Sequence, residues 1–186
     1  IKHLFTELSR HKFVPDVVAL NAGVYENDLL EGFSHAKFER IVKINLLSAM
    51  KLVEYFLNVM KPGSQFIAIS SLSAFRGNPN EGVGYSSSKA ALSNAFESLY
   101  LKYKKRDIVF TTVYFGPIDT PMNRLKNNTR FLSNSNDATK QILAAIRERK
   151  PAYYYPGYIF FLLGLLKLLP NSIMALVIGL IEKIRL

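Results

Sequence analysis

Apolar and polar positions alternate along this chain in blocks that predict alternating strands and helices. Short apolar runs predict strands near residues 16–21, 65–70, 108–114 and 152–156. Apolar residues at helical spacing predict helices near residues 34–60, 83–105 and 137–149, and residues 1–12 have the pattern of a helix end. Because strands that alternate with helices form parallel sheets covered on both faces, we predict an α/β fold with a doubly wound parallel sheet.

The longest predicted helix begins near Phe33 and carries a single apolar stripe. Its members are Phe38, Ile41, Val42, Leu46, Ala49, Leu52, Val53 and Phe56. Such a stripe packs against the core of its own domain or against a partner subunit. The core is the simpler interpretation, and the partner stays open as the alternative.

Candidate proton-transfer chemistry lies in the run Tyr85-Ser86-Ser87-Ser88-Lys89. Residues four apart share a helix face, so we expect the Lys89 ammonium close to the Tyr85 phenol. A cation about 5 Å away at an effective dielectric of about 20 stabilises a phenolate by roughly 3 kcal/mol, which lowers the phenol pKa by about two units. Ser71, 14 residues earlier at the end of an apolar strand, would orient a carbonyl or stabilise an alkoxide. An ordinary exposed helix also explains a tyrosine and lysine at this spacing, so other motifs must decide.

Further motifs surround this pair in a fixed order. A strand ends in Asn21-Ala22-Gly23, Asn45 lies in the next helix, Phe66 begins the strand that ends in Ser71, and Gly116-Pro117-Ile118-Asp119-Thr120 follows the third strand. Together, over residues 16–121, these motifs resemble the classical short-chain dehydrogenase/reductase family. The resemblance implies a Rossmann-like fold and an NAD(P)-dependent oxidoreductase that acts on a carbonyl or secondary alcohol.

The resemblance also implies a role for each matching residue. Tyr85 would be the acid/base, Ser71 the carbonyl orienter, and Asn45 a link in a proton relay. Lys89 would contact the nicotinamide ribose. The residues implied to contact NAD(H) or NADP(H) are Asn21, Ala22, Gly23, Tyr85, Lys89, Gly116, Pro117, Ile118 and Thr120, with Thr120 and the Ile118 backbone at the nicotinamide carboxamide. Residues 122–136 occupy the place of the family's substrate loop.

The chain departs from the family pattern in two places. Phe115 stands where the family often has proline before the glycine of the last motif. The glycine-rich turn that holds the pyrophosphate is absent, since the pair Gly82 and Gly84 is better explained by turn chemistry before Tyr85. The residue that would choose between NAD and NADP is missing with it. We therefore expect that roughly the first half of the dinucleotide fold lies outside this sequence, which begins with Ile1.

Composition narrows the function classes. With 186 residues and 49% hydrophobic content, the chain can bury one core, and we assign residues 1–157 to a partial Rossmann-like domain. The absence of cysteine excludes disulfides and thiolate chemistry, and the three scattered histidines lack ligand spacing, so we expect no metal site. The net charge of +10 suggests nucleic acid as a partner. We discount it because the densest basic run, Lys102 to Arg106, ends a predicted helix, where cations complement the dipole and face solvent.

The C-terminal extension, residues 158–186, continues an unusually apolar stretch. No charged residue occurs from Pro151 to Leu166 or from Leu168 to Ile181. Neither run is long enough to span a bilayer. We favour a helical hairpin on a membrane surface over helices that cover the sheet or a partner. The tyrosines expected at headgroup level are Tyr153, Tyr154, Tyr155 and Tyr158, and the cations expected to meet anionic lipid are Arg147, Arg149, Lys150, Lys183 and Arg185.

Two function classes remain. The first is the oxidoreductase, on a small and, given membrane contact, lipophilic substrate. The second is a truncated, non-catalytic fragment that acts as a scaffold or interaction module. The set Asn45, Ser71, Tyr85 and Lys89 favours the enzyme. We expect a cytoplasmic homodimer or homotetramer, peripheral on a membrane if the C-terminal helices bind lipid.

Overall fold

The structure is a computed structural model that describes residues 2–29, 32–77, 82–125 and 132–176. The strands are β1 (Val17–Leu20), β2 (Gln65–Ser71), β3 (Val109–Phe115) and β4 (Ala152–Tyr155). The helices are α1 (Lys2–Arg10), α2 (His35–Val42), α3 (Ser48–Leu57), α4 (Val83–Tyr103), α5 (Pro121–Leu125), α6 (Ser135–Glu148) and α7 (Gly157–Lys167). The four strands and three long helices predicted from the apolar pattern are confirmed.

The four strands form one sheet in the order β1-β2-β3-β4, and every neighbouring pair is parallel. Helices return the chain to the start of each strand, as parallel pairing requires. Ser71 pairs with Phe115, so β2 and β3 end at the same level. The segments that follow the strands therefore meet at one edge of the sheet, where ligands bind in open α/β folds.

Apolar clusters cover both faces of the sheet. Phe66 points to one face, into a cluster with residues of α3 and α4. Ile67, the next residue, points to the other face, into a cluster with residues of α6. The sheet is thus doubly wound, and the apolar stripe of the long helix packs into the core of this domain.

The long predicted helix is not uniform. A π-helical turn, Lys43–Leu47, separates α2 from α3 and contains the buried Asn45. A π turn holds an extra residue, so it changes the phase between the two helices. The apolar stripe alone did not reveal this turn.

Residues 122–136, in the place of the family's substrate loop, include helical residues at both ends. Helix α5 occupies the beginning of this segment, and residues 126–131 lie outside the described residues. Helix α6 begins at Ser135 because the side chain of Asn134 accepts a hydrogen bond from the Asn136 amide and caps the helix.

The C-terminal stretch differs from the prediction in detail. Tyr153, Tyr154 and Tyr155 lie half-buried in β4, so of the four tyrosines expected at headgroup level only Tyr158 is exposed. Arg149 donates to the carbonyl of Gly63 and pairs with Asp107, and Lys150 pairs with Glu148. These two cations therefore have protein partners, which the sequence pattern could not show.

Among the other predicted lipid contacts, Arg147 is exposed on α6, and Lys183 and Arg185 lie outside the described residues. Residues 171–176 are helical, after α7. Among the described residues no helix has the length and apolar character needed to cross a membrane.

Candidate active site

The predicted catalytic residues converge at the carboxyl edge of the sheet. Ser71 is the last residue of β2, and Asn21 to Gly23 follow β1. Gly116 to Thr120 follow β3. Helix α4, which carries Tyr85 and Lys89, packs against β2 and the turn after it. Parallel topology thus brings together residues that are far apart in sequence.

Tyr85 and Lys89 are both buried, at 7% and 5% exposure. The Lys89 ammonium lies 5.9 Å from the centroid of the Tyr85 ring, as expected for residues four apart on a helix. The same ammonium donates a 2.7 Å hydrogen bond to the carbonyl of Ile69 in β2. The tyrosine ring also meets Tyr25 edge-on, with centroids 5.6 Å apart. Both side chains are therefore fixed in place by packing and hydrogen bonding.

The backbone of α4 at Lys89 is also tied to β2. Ser70 Oγ donates to the carbonyl of Lys89 at 3.3 Å, and Ser93 Oγ donates to the same carbonyl at 2.8 Å. The two hydroxyls lie 2.8 Å apart. Three neighbouring polar groups thus hold the helix at a fixed distance from the strand that ends in Ser71.

The hydroxyl of Ser71 has defined local partners. It accepts a hydrogen bond from the Ser73 amide at 3.2 Å and lies 3.0 Å from the Ser73 hydroxyl. These contacts close the short 3₁₀ turn Leu72–Ala74, which packs against α4. The hydroxyl is therefore oriented by its own turn, which packs against the helix that carries Tyr85.

Asn45 connects the segment after β1 to the helix with Tyr85. Its side-chain oxygen accepts from the Val24 amide at 2.7 Å, and its amide nitrogen donates to the Val24 carbonyl at 3.0 Å. The same nitrogen donates to Ser88 Oγ at 3.2 Å, and that hydroxyl donates to the carbonyl of Tyr85 at 2.8 Å. Asn45 thus links the segment after β1 to the backbone of α4.

Gly23 lies between two of these polar groups, at ordinary contact distance from each. A Cβ atom at this position would lie 3.5 Å from Asn45 Oδ1 and 3.5 Å from Lys89 Nζ. Asn21 and Ala22, just before it, are exposed. The segment therefore offers accessible backbone next to an amide and a buried ammonium, a donor set that fits the hydroxyls of a ribose.

The segment after β3 is also held by hydrogen bonds. The Gly116 amide donates to the carbonyl of Tyr155 at 2.8 Å, and a Cβ on this glycine would lie 3.3 Å from Leu72 and from Pro156. Thr120 Oγ1 donates to the Ile118 carbonyl at 3.4 Å. Asn123 donates from its side chain to the same carbonyl and from its amide to Thr120 Oγ1.

The neighbouring residues fix the same segment from the other side. The Ser133 amide donates to the Pro117 carbonyl at 2.9 Å. Phe115 stays in β3 and is buried, so the unusual residue before Gly116 serves as part of the core. The loop is thus compact and lies beside the end of β2.

An aromatic cluster borders the turn after Ser71. Phe75 contacts Tyr114 and Tyr154, and Phe160 of α7 stacks on Tyr154 with centroids 3.6 Å apart. Burial raises the pKa of the Tyr114 phenol, and the nearby Glu97 carboxylate raises it further. Burial also raises the pKa of Tyr154. These two phenols stay neutral at neutral pH, so they can donate hydrogen bonds but are poor general bases.

Sequence reasoning missed Asp28, which is buried beside the start of α4. Its carboxylate accepts 2.7 Å hydrogen bonds from the amides of both Val83 and Gly84. The pair Gly82 and Gly84 was explained as turn chemistry, and Gly82 does have a positive φ of 75°. A Cβ at Gly82 would also collide with the Asp28 carboxylate. Two glycines so close before Tyr85 were the available signal.

A model for the family described as enoyl-(acyl carrier protein) reductase matches residues 1–149. The chain belongs to the short-chain dehydrogenase/reductase family. Among curated relatives, 3-oxoacyl-(acyl-carrier-protein) reductase FabG of Buchnera aphidicola is 31% identical over 69% of this chain and 54% of its own length. The chloroplastic NADPH-dependent aldehyde reductase 1 of Arabidopsis thaliana is 28% identical over 78% of this chain and 49% of its own length. The chain spans about half the length of these relatives.

Solved structures of other proteins share the fold. A short-chain dehydrogenase from Burkholderia cenocepacia in complex with NADP superposes with a TM-score of 0.80 at 21% identity, over 94% of this chain and 73% of that protein. A 4-hydroxyisoleucine dehydrogenase complexed with NADH gives a TM-score of 0.70 at 23% identity, over 82% of this chain and 72% of that protein. The Rossmann-like architecture predicted from the sequence is thereby confirmed.

Proposed function

We propose that this chain carries the catalytic part of an NAD(P)-dependent oxidoreductase that interconverts a carbonyl and a secondary alcohol. The observation that carries the proposal is the convergence of Gly23, Asn45, Tyr85 and Lys89 through buried side chains and hydrogen bonds. The names of the relatives support it, since they include two reductases and a dehydrogenase complexed with NADH. The proposal covers NAD(H) and NADP(H) as alternative cofactors.

The residues present fit the nicotinamide end of such a cofactor. Lys89 and Tyr85 would contact the ribose, with the exposed backbone of Asn21 to Gly23 beside them. The residues proposed at the nicotinamide itself are Gly116, Pro117, Ile118 and Thr120. When bound, the dinucleotide would supply or accept the hydride at the substrate carbon.

Tyr85 would move the proton. In the reductive direction, the carbonyl oxygen gains the phenol proton as the carbon gains a hydride, and the product is an alcohol. In the oxidative direction, the phenolate takes the hydroxyl proton as the carbon loses a hydride. Ser71 would orient the same oxygen through its hydroxyl, and Asn45 would hold the chain of groups through which the phenol regains its proton.

A non-catalytic scaffold is the alternative function. A scaffold needs packed strands and helices. It does not need a buried ammonium that is hydrogen-bonded to a β2 carbonyl and lies beside a buried phenol. Burying such a cation is costly, so its presence favours the enzyme.

The test is NAD(P)H turnover by the natural protein that contains this chain, against a panel of ketones and aldehydes. We expect Tyr85→Phe to lower kcat by about 10²- to 10⁴-fold, the range that general acid/base catalysis contributes, while NAD(P)H binding stays intact. Tyr100→Phe is the matched control, because it removes a phenol from the same helix several turns away. Retained turnover in Tyr85→Phe would contradict the proposed mechanism.

We also propose that the protein is peripheral on the cytoplasmic face of a membrane. The support is the outer face of α7, where large apolar side chains are exposed at helical spacing: Tyr158, Phe161 and Leu165, with exposed Leu168 directly after the helix. From Pro151 to Ile181 the chain has one cation, Lys167, and no carboxylate side chain, so anionic lipid would meet no acidic group on this stretch. Contact with lipid would favour a lipophilic substrate.

A homodimer or homotetramer is a further part of the proposal. The family resemblance implies that the helices bearing Asn45 and Tyr85 form the subunit interface. Exposed Leu47 and Leu101, on the long helix and on α4, support a contact there. The molar mass from light scattering distinguishes a monomer from either oligomer.

A further inference from the structure

We infer that Asp28 is a positioning residue for Tyr85, an inference that rests on the proposed oxidoreductase function. Asp28 is 1% exposed, and its two carboxylate oxygens each accept a 2.7 Å hydrogen bond from the first amides of α4, those of Val83 and Gly84. Tyr85 is the next residue along the helix. The carboxylate thus fixes the backbone directly before the proposed acid/base.

The Asp28 carboxylate caps the start of α4, and it differs from an ordinary helix cap in its position along the chain. Ser34 and Asn134 cap the helices that directly follow them in sequence. Asp28 lies 55 residues before Val83, and the residue at the cap position itself, Gly82, has no side chain to contribute. A local cap moves with its helix, whereas a distant one fixes the helix to another part of the molecule. Asp28 therefore sets where α4 begins relative to the segment after β1.

That segment is held at both ends. At its start, both backbone groups of Val24 bond the side chain of Asn45. At its end, the carbonyl of Asp28 accepts a 2.9 Å hydrogen bond from the Ser34 amide at the start of α2. Between them, Tyr25 packs edge-on against the ring of Tyr85. The segment spans from the proposed ribose contact at Gly23 to the proposed proton donor.

The glycines before Tyr85 are consistent with this role. A Cβ at Gly84 would lie 3.1 Å from Asp28 Oδ2, 3.1 Å from Ile41 and 3.2 Å from the Phe38 backbone. Contacts below 3.4 Å need the neighbours to move, so a larger residue would push α4 away from α2 and from the carboxylate. The close approach therefore requires both the glycines and the aspartate, and its result is a fixed position for the Tyr85 phenol relative to Ser71 and Lys89.

The test compares Asp28→Ala and Asp28→Asn with Val53→Ala in the natural full-length protein. Val53 lies on α3 with its side chain buried in the core, so its truncation destabilises the fold without touching the start of α4. We expect Asp28→Ala to lower kcat by about 10- to 100-fold at a temperature where all variants are folded, since small misplacements of reacting groups have effects of this size. NAD(P)H affinity should change little, and Val53→Ala should keep the kcat of the parent.

A second readout is independent of turnover. Hydrogen exchange of the amides at residues 83–85 should accelerate in Asp28→Ala and stay as in the parent in Val53→Ala. Asp28→Asn keeps one acceptor oxygen but places an amide group against the other N–H, so kcat and exchange should be intermediate. This variant also serves if Asp28→Ala fails to fold.

Two results would overturn the inference. One is a folded Asp28→Ala, or Asp28→Asn in its place, with the kcat of the Val53→Ala control. The other is unchanged exchange at residues 83–85. Failure of the proposed function has a different signature, namely a parent protein without NAD(P)H binding or turnover, and exchange alone would then decide whether Asp28 anchors α4.

Discussion

The carboxyl edge of the sheet and helix α7 contrast in how they use buried and exposed groups. At the sheet edge, polar side chains are buried and joined by hydrogen bonds, from Asn45 through Ser88 to the Tyr85 backbone and from Lys89 to Ile69. On α7, apolar side chains such as Phe161 and Leu165 are exposed, whereas Phe160 packs against Tyr154. Both regions reverse the usual distribution of polar and apolar groups, which is the informative observation in a folded protein. The buried polar groups at the sheet edge indicate a catalytic site. The exposed apolar side chains on α7 indicate a surface that contacts a membrane or another protein.

The two regions are joined by one loop. Phe75, four residues after Ser71, packs against Phe160 of α7. Its neighbour Arg76 donates hydrogen bonds to the carbonyl of Leu169 at 2.9 Å and to the side chain of Asn171 at 2.8 Å. The end of α7 is therefore attached to the segment that leaves the proposed active site.

Among the variants that compare the sheet edge with α7, the largest effect is expected at Lys89, where the experiment tests whether the buried ammonium takes part in catalysis. Lys89→Met keeps the length of the side chain but removes the cation, so the Tyr85 phenolate loses stabilisation. We expect alcohol oxidation at neutral pH to fall by about a hundredfold and to recover in part as the pH rises, because removal of a cation raises the pKa at which a phenol ionises. Initial rates across a pH series measure this.

Lys102→Met is the control for that experiment, since Lys102 is exposed near the end of the same helix. If the pH profile of Lys89→Met is unchanged, Lys89 does not stabilise the Tyr85 phenolate and its role is structural.

A smaller effect is expected from a matched pair on α7 that separates its two faces. Phe160 is half-buried against Tyr154, whereas Phe161 is 71% exposed. Phe160→Ala should reduce the free energy of unfolding by about 2 kcal/mol, below the 3–5 kcal/mol of a fully buried phenylalanine. Phe161→Ala should change it by less than about 0.5 kcal/mol. Urea unfolding of both variants measures the difference, and equal losses would mean that α7 does not pack as described.

The smallest effect concerns lipid contact by the outer face. Phe161→Ser should weaken binding to mixed phosphatidylcholine–phosphatidylserine vesicles by about tenfold, since the transfer of one aromatic ring from a partly lipid-exposed site contributes about 1.4 kcal/mol. Co-sedimentation with vesicles measures the binding, and added salt should weaken it further.

Phosphatidylcholine vesicles and the variant Lys102→Met are the controls for the lipid experiment. No binding of the parent protein to anionic vesicles would contradict the membrane proposal, and the exposed face of α7 would then need a protein partner.

Much of the fold and of the site could be predicted because the signals are local. The strand that precedes Asn21-Ala22-Gly23 and the helix with Tyr85 and Lys89 each follow from short patterns. Asp28 could not be found this way, because its partners lie 55 and 56 residues away and only folding brings them together. Tyr154 carried two predictions, a strand near residues 152–156 and a place at headgroup level, because an aromatic run suits both. Its pairing with β3 confirms the strand.

The π turn at Lys43–Leu47 makes this protein sensitive to the length of one helix rather than to its composition. An α-helix advances about 100° per residue. Loss of one residue from this turn would therefore swing Asn45 away from Val24 while every apolar side chain of α3 kept its identity. A single-codon deletion here would be far more harmful than most exchanges of one residue for another, and natural variation in the length of this helix should be rare.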